Sequence, residues 1–287
     1  MFSAGTTSLD PESYGVPDRV SFDFEPLVRT LFPWILANET PFCINVYPAT
    51  MPLLSSAINV DCHLQFSVFT RALELCRRHN RHAIIIGQPL LVGEYLTAHV
   101  LEWNSFPERM VIATGGAYCP ASLERAITLW TAARHSRVDF VSFYGLSEVD
   151  SGCLFSTRRD QTGAPLYQAR SDIEVSIGPD SILGMRRKQN HGSKRVVKTE
   201  ERAVQVADNT YVLNFEARMS QAIQQAIEAW GPDEWERRTG HMHRIDANTV
   251  LWQLRNRSEL VPSALELPFH TYASLFGSTQ ALKPRWV

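Results

Sequence analysis

Between Phe66 and Leu146 the hydrophobic pattern switches repeatedly between two periods, and this alternation limits the fold more than any other feature of the 287 residues. Phe66 to Asn80 carries apolar residues at Phe66, Phe69, Leu73 and Leu75/Cys76, close to helical spacing, with basic residues in its last turn. His82 to Ile86 is a short β-branched run that ends at Gly87-Gln88-Pro89 and predicts a buried strand. Leu90 to Trp103 predicts a second amphipathic helix, and Met110 to Thr114 a second buried strand ending in Gly115-Gly116-Ala117. Ser122 to His135 has Leu123, Ile127 and Trp130 on one helical face. A third apolar run (Val138, Phe140, Val141, Phe143) leads into Tyr144-Gly145-Leu146-Ser147-Glu148. Helix and strand in strict turn imply parallel strands joined by crossover helices, an α/β fold with mostly parallel sheets flanked by helices.

The flanks are less regular. Asp10 to Asp23 reads as loop, Phe24 to Asn38 as a helix interrupted by Pro33, and Phe42 to Tyr47 as a short strand. Beyond Gly152, Gln168 to Ile177 predicts a strand. Gly184 to Arg202 is basic and polar; it reads as a solvated loop or hairpin, or as a basic lip for an anionic substrate. Glu216 to Trp230 predicts a helix stopped by Gly231-Pro232, and Trp235 to Arg255 alternates as two strands around a turn at Asp246 to Asn248. The expected organisation is an α/β core over 1–160, then a β-rich subdomain and tail over 161–287.

Composition narrows the function classes. A net charge of −2 gives no bias toward nucleic acid. No apolar run approaches the roughly 20 residues that span a bilayer, and Met1-Phe2-Ser3 begins no secretory pattern. The five cysteines are scattered and lack a C-x-x-C pair, which predicts free thiols and a cytoplasmic protein. There is no G-x-S-x-G elbow for a serine hydrolase. His241 and His243 share a face of an expected strand, but with no third ligand the plainer reading is a polar surface.

Candidate chemistry gathers after the strands, because open α/β sheets bind ligands beyond the carboxyl ends of their strands. In Tyr144 to Glu148 the aromatic face can stack a base, Gly145 lets backbone approach a ligand, and Ser147 and Glu148 suit a phosphate-bound metal ion. Ser3 to Ser8 (SAGTTS) offers backbone N–H groups and hydroxyls to phosphate oxygens, without the Gly-Lys-Ser/Thr of a Walker loop. Cys119 and Cys153 follow the two strand-end motifs; a thiol there can accept an acyl group, and a small apolar filler is the commoner use.

Taken in order, these segments resemble the adenylate-forming superfamily of acyl-CoA synthetases, adenylation domains and luciferases, and within it the phenylacetate-CoA ligase branch. Ser3 to Ser8 looks like its phosphate loop, Leu73 to Leu91 like the helix and strand before the acyl pocket, and Gly115-Gly116-Ala117 like its adenine loop. Tyr144-Gly145-Leu146-Ser147-Glu148 looks like its Tyr-Gly-Thr/Ser-Glu motif, and Trp235 to Trp252 like the segment running from Trp-x-Arg-Thr-Gly-Asp to Leu-Trp. The resemblance implies ATP, Mg²⁺ and a small carboxylic acid as ligands, with CoA or another nucleophile as acyl acceptor. It places Ser3, Gly5, Thr6 and Thr7 on the departing phosphates, Gly115, Gly116, Ala117, Tyr144 and Gly145 around adenine, and Ser147 near the α-phosphate. Glu148 would hold Mg²⁺.

Four departures accompany it. Relative to the family pattern the sequence starts at the phosphate loop, so flanking strands are expected to be missing, replaced or supplied by a protein partner. Ser8-Leu9-Asp10-Pro11 lacks the lysine that usually follows the loop. The ribose-binding Thr-Gly-Asp reads Thr239-Gly240-His241, and a histidine cannot copy a bidentate carboxylate. The family's small C-terminal domain is absent, and near the hinge either Arg255 or Arg257 stands for the usual arginine. Two readings stay open: a shortened enzyme that activates an acid, and a non-catalytic module that binds an acyl or aryl ligand or stabilises a partner.

Overall fold

The structure is a computed structural model that describes residues 22–35, 37, 40–47, 54–62, 65–99, 106–116, 119, 121–146, 149–188 and 196–214. The elements expected within 10–21 and 216–255 lie outside these residues. The described chain forms two compact units that divide between Val141 and Ser142.

The first unit is built on parallel strands. β1 (Phe42–Asn45) pairs in parallel with β2 (Ile58–Asp61) on one side and with β3 (Ala83–Gly87) on the other. β3 pairs in parallel with β4 (Arg109–Thr114), and the strand order is β2-β1-β3-β4-β5, where β5 spans Arg137–Leu146. Ile85 and Ile112 face each other in register and are wholly buried, and burial of each stabilises by about 1.5–3 kcal/mol. Continuous apolar strands fit a sheet covered on both faces.

Helices make the crossovers. α2 (Phe66–Arg78) buries Phe69, Ala72, Leu73 and Cys76 along one stripe and ends in left-handed Asn80 (φ 49°). α3 (Pro89–His99) buries Leu91, Val92, Tyr95 and Leu96. The Tyr95 ring meets Phe66 and Phe69 edge-on at 5.5 and 5.2 Å, which joins α2 to α3. α4 (Ala121–Ala132) precedes β5. The first helix, α1 (Glu25–Leu31), is shorter than the span to Asn38 that the sequence suggests. Pro33 disfavours helical backbone at Phe32, where the helix stops. No helix among the described residues is long and apolar enough to cross a membrane.

The second unit is antiparallel and larger than the small β-rich part the sequence suggests. β5 turns back into β6 (Asp150–Ser156), with Tyr144 opposite Leu154 and a bulge between Tyr144 and Leu146. β7 (Tyr167–Ala169), β8 (Ile173–Ile177), β9 (Ile182–Arg187), β10 (Val197–Ala207) and β11 (Thr210–Asn214) complete the order β5-β6-β7-β11-β10-β9-β8. Gln168 to Ile177 is therefore not one strand. Arg170 breaks it, accepting a turn hydrogen bond from Ile173 N (3.0 Å) between β7 and β8. Gly184 to Arg202 follows the hairpin reading where it is described: β9 and β10 pair antiparallel, with Met185 opposite Val197. Tyr144, Cys153, Leu154, Tyr167, Met185 and Leu213 lie in the core of this unit.

Candidate functional site

In the first unit the parallel strands bring their carboxyl ends to one edge, the place where an open α/β sheet holds a ligand. Four connections leave from there: Tyr47 after β1, Cys62 after β2, Gln88 after β3, and Gly115-Gly116 after β4. Val46 N donates to Ile86 O (2.8 Å) and Gly115 N to Gly87 O (3.2 Å), so the three strand ends are knitted together. Asn45, wholly buried, accepts a hydrogen bond from Tyr47 N on its side-chain Oδ1 (2.9 Å) and turns the chain at the end of β1.

Gly116 follows with φ +76°, in the left-handed region that favours glycine. A Cβ there would run into the Tyr47 phenol oxygen and stand 3.0 Å from its ring Cε2. The family resemblance sets this glycine beside adenine; the side chain that lies against it in the structure is Tyr47. The sequence offered no signal for Tyr47, since its partner lies some seventy positions downstream. Gln88 was visible only as part of a strand-end turn. It is 5% exposed, its carbonyl accepts from Val92 N (2.9 Å) at the start of α3, and its side-chain Nε2 has no acceptor among the described residues.

In the second unit, Tyr144 and Gly145 close β5. Tyr144 is 6% exposed, with its ring edge-on to Tyr167 at 6.3 Å between centroids. Gly145 is required by a crossing of backbones: a Cβ there would lie 2.5 Å from both Asp150 O and Gly152 N. The chain then turns, with Val149 N donating to Leu146 O (3.0 Å). Asp150 follows, and its carboxylate is fully committed. Oδ1 accepts from Ser151 N (2.8 Å), and Oδ2 accepts from Arg170 (2.7 Å) and Arg187 (2.6 Å). Burial opposes the charge on Arg170, but bonds to Asp172 and Asp150 outweigh it and hold its pKa above the ordinary value.

At the start of the basic stretch three side chains have partners. Arg186 forks onto Glu174 (2.7 Å), Arg187 joins Asp150, and Lys188 Nζ donates to Ser171 O (3.0 Å). The five cysteines are buried and none is in a disulfide among the described residues. Burial pushes the Cys153 thiol to about 12, and its Sγ donates to Asp150 O (3.1 Å), which leaves little thiolate for acyl transfer.

Of the residues expected at a nucleotide site, Gly115, Gly116, Tyr144 and Gly145 are described. Ser3, Gly5, Thr6, Thr7, Ala117, Ser147, Glu148, His241, Arg255 and Arg257 lie outside the described residues. Among the described residues no group of three or more His, Cys, Asp or Glu is placed to hold a metal ion.

No protein-family model matches the chain, and no curated protein matches it. Several solved structures are similar to it in part. One is an acyl-CoA synthetase (AMP-forming)/AMP-acid ligase II-like protein from Dyadobacter fermentans, at 15% identity over 51% of this chain and 42% of that one, with a TM-score of 0.34. Another is the anthranilate CoA ligase AuaEII in complex with anthranoyl-AMP, at 14% identity over 66% of this chain and 42% of that one, TM-score 0.44. A third is the N-terminal domain of FACL13 from Mycobacterium tuberculosis, at 11% identity over 65% and 54%, TM-score 0.41. The chain spans about half the length of these solved chains or less.

Proposed function

We propose that this chain is an adenylate-forming protein that binds ATP and a small carboxylic acid and joins them as an acyl-adenylate. The observation that carries the reading is the position of two motifs. Gly115-Gly116 directly follows a strand of the parallel sheet, with Gly116 in a glycine-favouring conformation, and Tyr144-Gly145 closes β5 just before Ser147 and Glu148.

In this reading a carboxylate oxygen of the acid attacks the α-phosphorus of ATP. The bond to the bridging oxygen breaks, and pyrophosphate leaves with that electron pair. Such a displacement is helped mainly by positioning and charge neutralisation. Ser3, Gly5, Thr6 and Thr7 hold the departing phosphates. Gly115, Gly116 and Ala117 lie along the adenine edge, and Gly145 keeps the backbone of its motif close. Ser147 contacts the α-phosphate, His241 donates to the ribose, and Arg255 or Arg257 meets phosphate charge. The Glu148 carboxylate is a suitable oxygen ligand for Mg²⁺, which supplies charge neutralisation when bound. A thiol, with CoA as one source, then attacks the acyl carbon; the bond from that carbon to the phosphate oxygen breaks and AMP leaves with its electron pair. Gln88 Nε2, buried without an acceptor among the described residues, offers a hydrogen bond to a ligand oxygen.

One observation favours the second reading, a non-catalytic module that holds an acyl or aryl ligand or stabilises a partner. The Tyr144 ring is packed into the core against Tyr167, so stacking on adenine requires that packing to open. Calorimetry separates the two. Titration with ATP and Mg²⁺ gives saturable heat if the nucleotide site is intact, and Glu148→Ala removes it. Heat with an acid alone, and none with ATP, selects the module.

A further inference from the structure

Tyr47 lies across the edge of the parallel sheet. It follows β1, and the glycine that its ring meets, Gly116, follows β4. β3 stands between those two strands. Neighbouring strands lie about 4.7–4.9 Å apart, so about 9–10 Å separates β1 from β4. The Tyr47 side chain therefore reaches over the end of β3, where Gly87 and Gln88 stand, to meet Gly116. A Cβ on Gly116 would lie 3.0 and 3.1 Å from ring atoms Cε2 and Cζ, and nearer still to the phenol oxygen.

The backbone at Tyr47 is held while its ring is not enclosed. Buried Asn45 accepts from Tyr47 N (2.9 Å), and Val46 N donates to Ile86 O (2.8 Å). The Tyr47 side chain itself is only half-buried. Tyr95 and Tyr144 differ: they are 2% and 6% exposed, and each ring packs against other aromatic rings. Rotation about the side-chain bonds of Tyr47 therefore lifts its ring off Gly116 and leaves the strand ends in place. Two features of the covered edge suit a ligand. Gly115 and Gly116 present backbone without side chains, which a flat ring can approach closely. Gln88, at the crossed strand end, is 5% exposed, and its Nε2 has no acceptor among the described residues.

We infer that Tyr47 is a lid residue: its ring closes on Gly116, and a ligand with a flat unsaturated ring reaches the Gly115–Gly116 backbone only when the Tyr47 ring turns away. The inference rests on the proposed function for the source of that flat ring, which is adenine or the aryl group of an acid. The closure of Tyr47 on Gly116 stands without it. A ligand that needs the open form binds more weakly in proportion to how little of that form is present. Minor forms of this kind are about 0.1–10% populated, so removing the ring strengthens binding by about tenfold or more. A ring that served instead as a stacking platform would give the opposite sign, because alanine would then remove contact with the ligand.

The test is calorimetry on the full chain with AMP and benzoate as probes. AMP brings the adenine ring, and benzoate brings an aryl carboxylate. Tyr47→Ala should bind one of them about tenfold or more tightly than the parent does, and Tyr47→Phe, which keeps the ring, should stay within about threefold of the parent. Tyr47→Leu stands in if Tyr47→Ala does not fold. A gain for AMP assigns the flat ring to the nucleotide, and a gain for benzoate assigns it to the acid. Weaker or unchanged binding of both probes overturns the lid, and an equal gain in Tyr47→Phe overturns the ring as the barrier. Fluorine NMR of protein carrying 3-fluorotyrosine reads the closure without a ligand, the Tyr47 resonance being identified by its loss in Tyr47→Phe. Gly116→Ala should make that resonance more accessible to a soluble paramagnetic agent, and an unchanged resonance overturns the closure on Gly116. If no variant binds either probe, the proposed function fails, and the fluorine spectrum decides the closure by itself.

Discussion

Replacing Gly116 by alanine tests the edge of the parallel sheet where the candidate site begins. Two costs add. An L-residue held at φ +76° is disfavoured by about 1–2 kcal/mol. The new Cβ would also stand 3.0 and 3.1 Å from Cε2 and Cζ of Tyr47, closer than the ~3.5–4.0 Å optimum for carbon, and the phenol oxygen is nearer still. Moving a packed ring aside costs about 1–3 kcal/mol. Alanine returns ~0.4–1 kcal/mol by restricting the unfolded chain. The expected net loss is about 2–4 kcal/mol, a large part of a typical stability of about 5–15 kcal/mol. Tyr47→Phe removes the nearest atom and leaves the two ring carbons, so it relieves only part of the overlap. A double-mutant cycle should therefore show coupling of about 0.5–1.5 kcal/mol. Urea unfolding of the four proteins, followed by tryptophan fluorescence, measures it. A loss below about 1 kcal/mol for Gly116→Ala, or the same loss in the Tyr47→Phe background, refutes the reasoning.

Two further outcomes follow from single groups. Gln88→Met removes a buried donor that has no acceptor among the described residues and keeps the side-chain volume, so it should raise stability by about 1 kcal/mol and weaken acid binding; a loss of stability, read in the same urea assay, shows that Nε2 is satisfied within the protein. Glu25 accepts from Ser55 Oγ (2.6 Å) and Arg29 (2.7 Å), and these bonds lower its carboxyl from 4.5 to about 2. A depressed carboxylate contributes stability in full above its ordinary value and loses it as pH falls from there through about 2. Because the group is near the surface, Glu25→Gln should cost only about 0.2–1 kcal/mol at pH 7, and the difference from the parent should vanish toward pH 2. A constant difference across that range excludes ionisation as the cause.

The parallel half of the fold was legible because its signal is local. His82 to Ile86 and Met110 to Thr114 are apolar runs with turn residues behind them, and strict alternation with helices leaves parallel pairing as the natural topology. β2 gave no such signal: Ile58–Asp61 is four residues at a sheet edge, with Ile58 43% exposed. The β5–β6 hairpin was missed because its turn falls inside a motif that reads as a ligand loop. The span from Gln168 to Ile177 looked continuous because Arg170 in a strand pattern resembles any exposed polar residue. Its burial depends on Asp150, twenty positions earlier, and on Arg187 and Asp172 around it. Contacts between distant positions define both Tyr47 against Gly116 and the Arg170 cluster, and neither periodicity nor composition carries them. The chemistry assigned to Tyr144, Gly145, Gly115 and Gly116 came from residue types at strand ends, and the structure places all four at the ends of strands.

Acid-dependent exchange of labelled pyrophosphate into ATP tests the central claim most directly. With a panel of alkyl and aryl acids and Mg²⁺, at least one acid should support exchange by the parent protein, and Glu148→Ala should abolish it while the fold is retained. No exchange with any acid, together with no heat on ATP titration, contradicts the account.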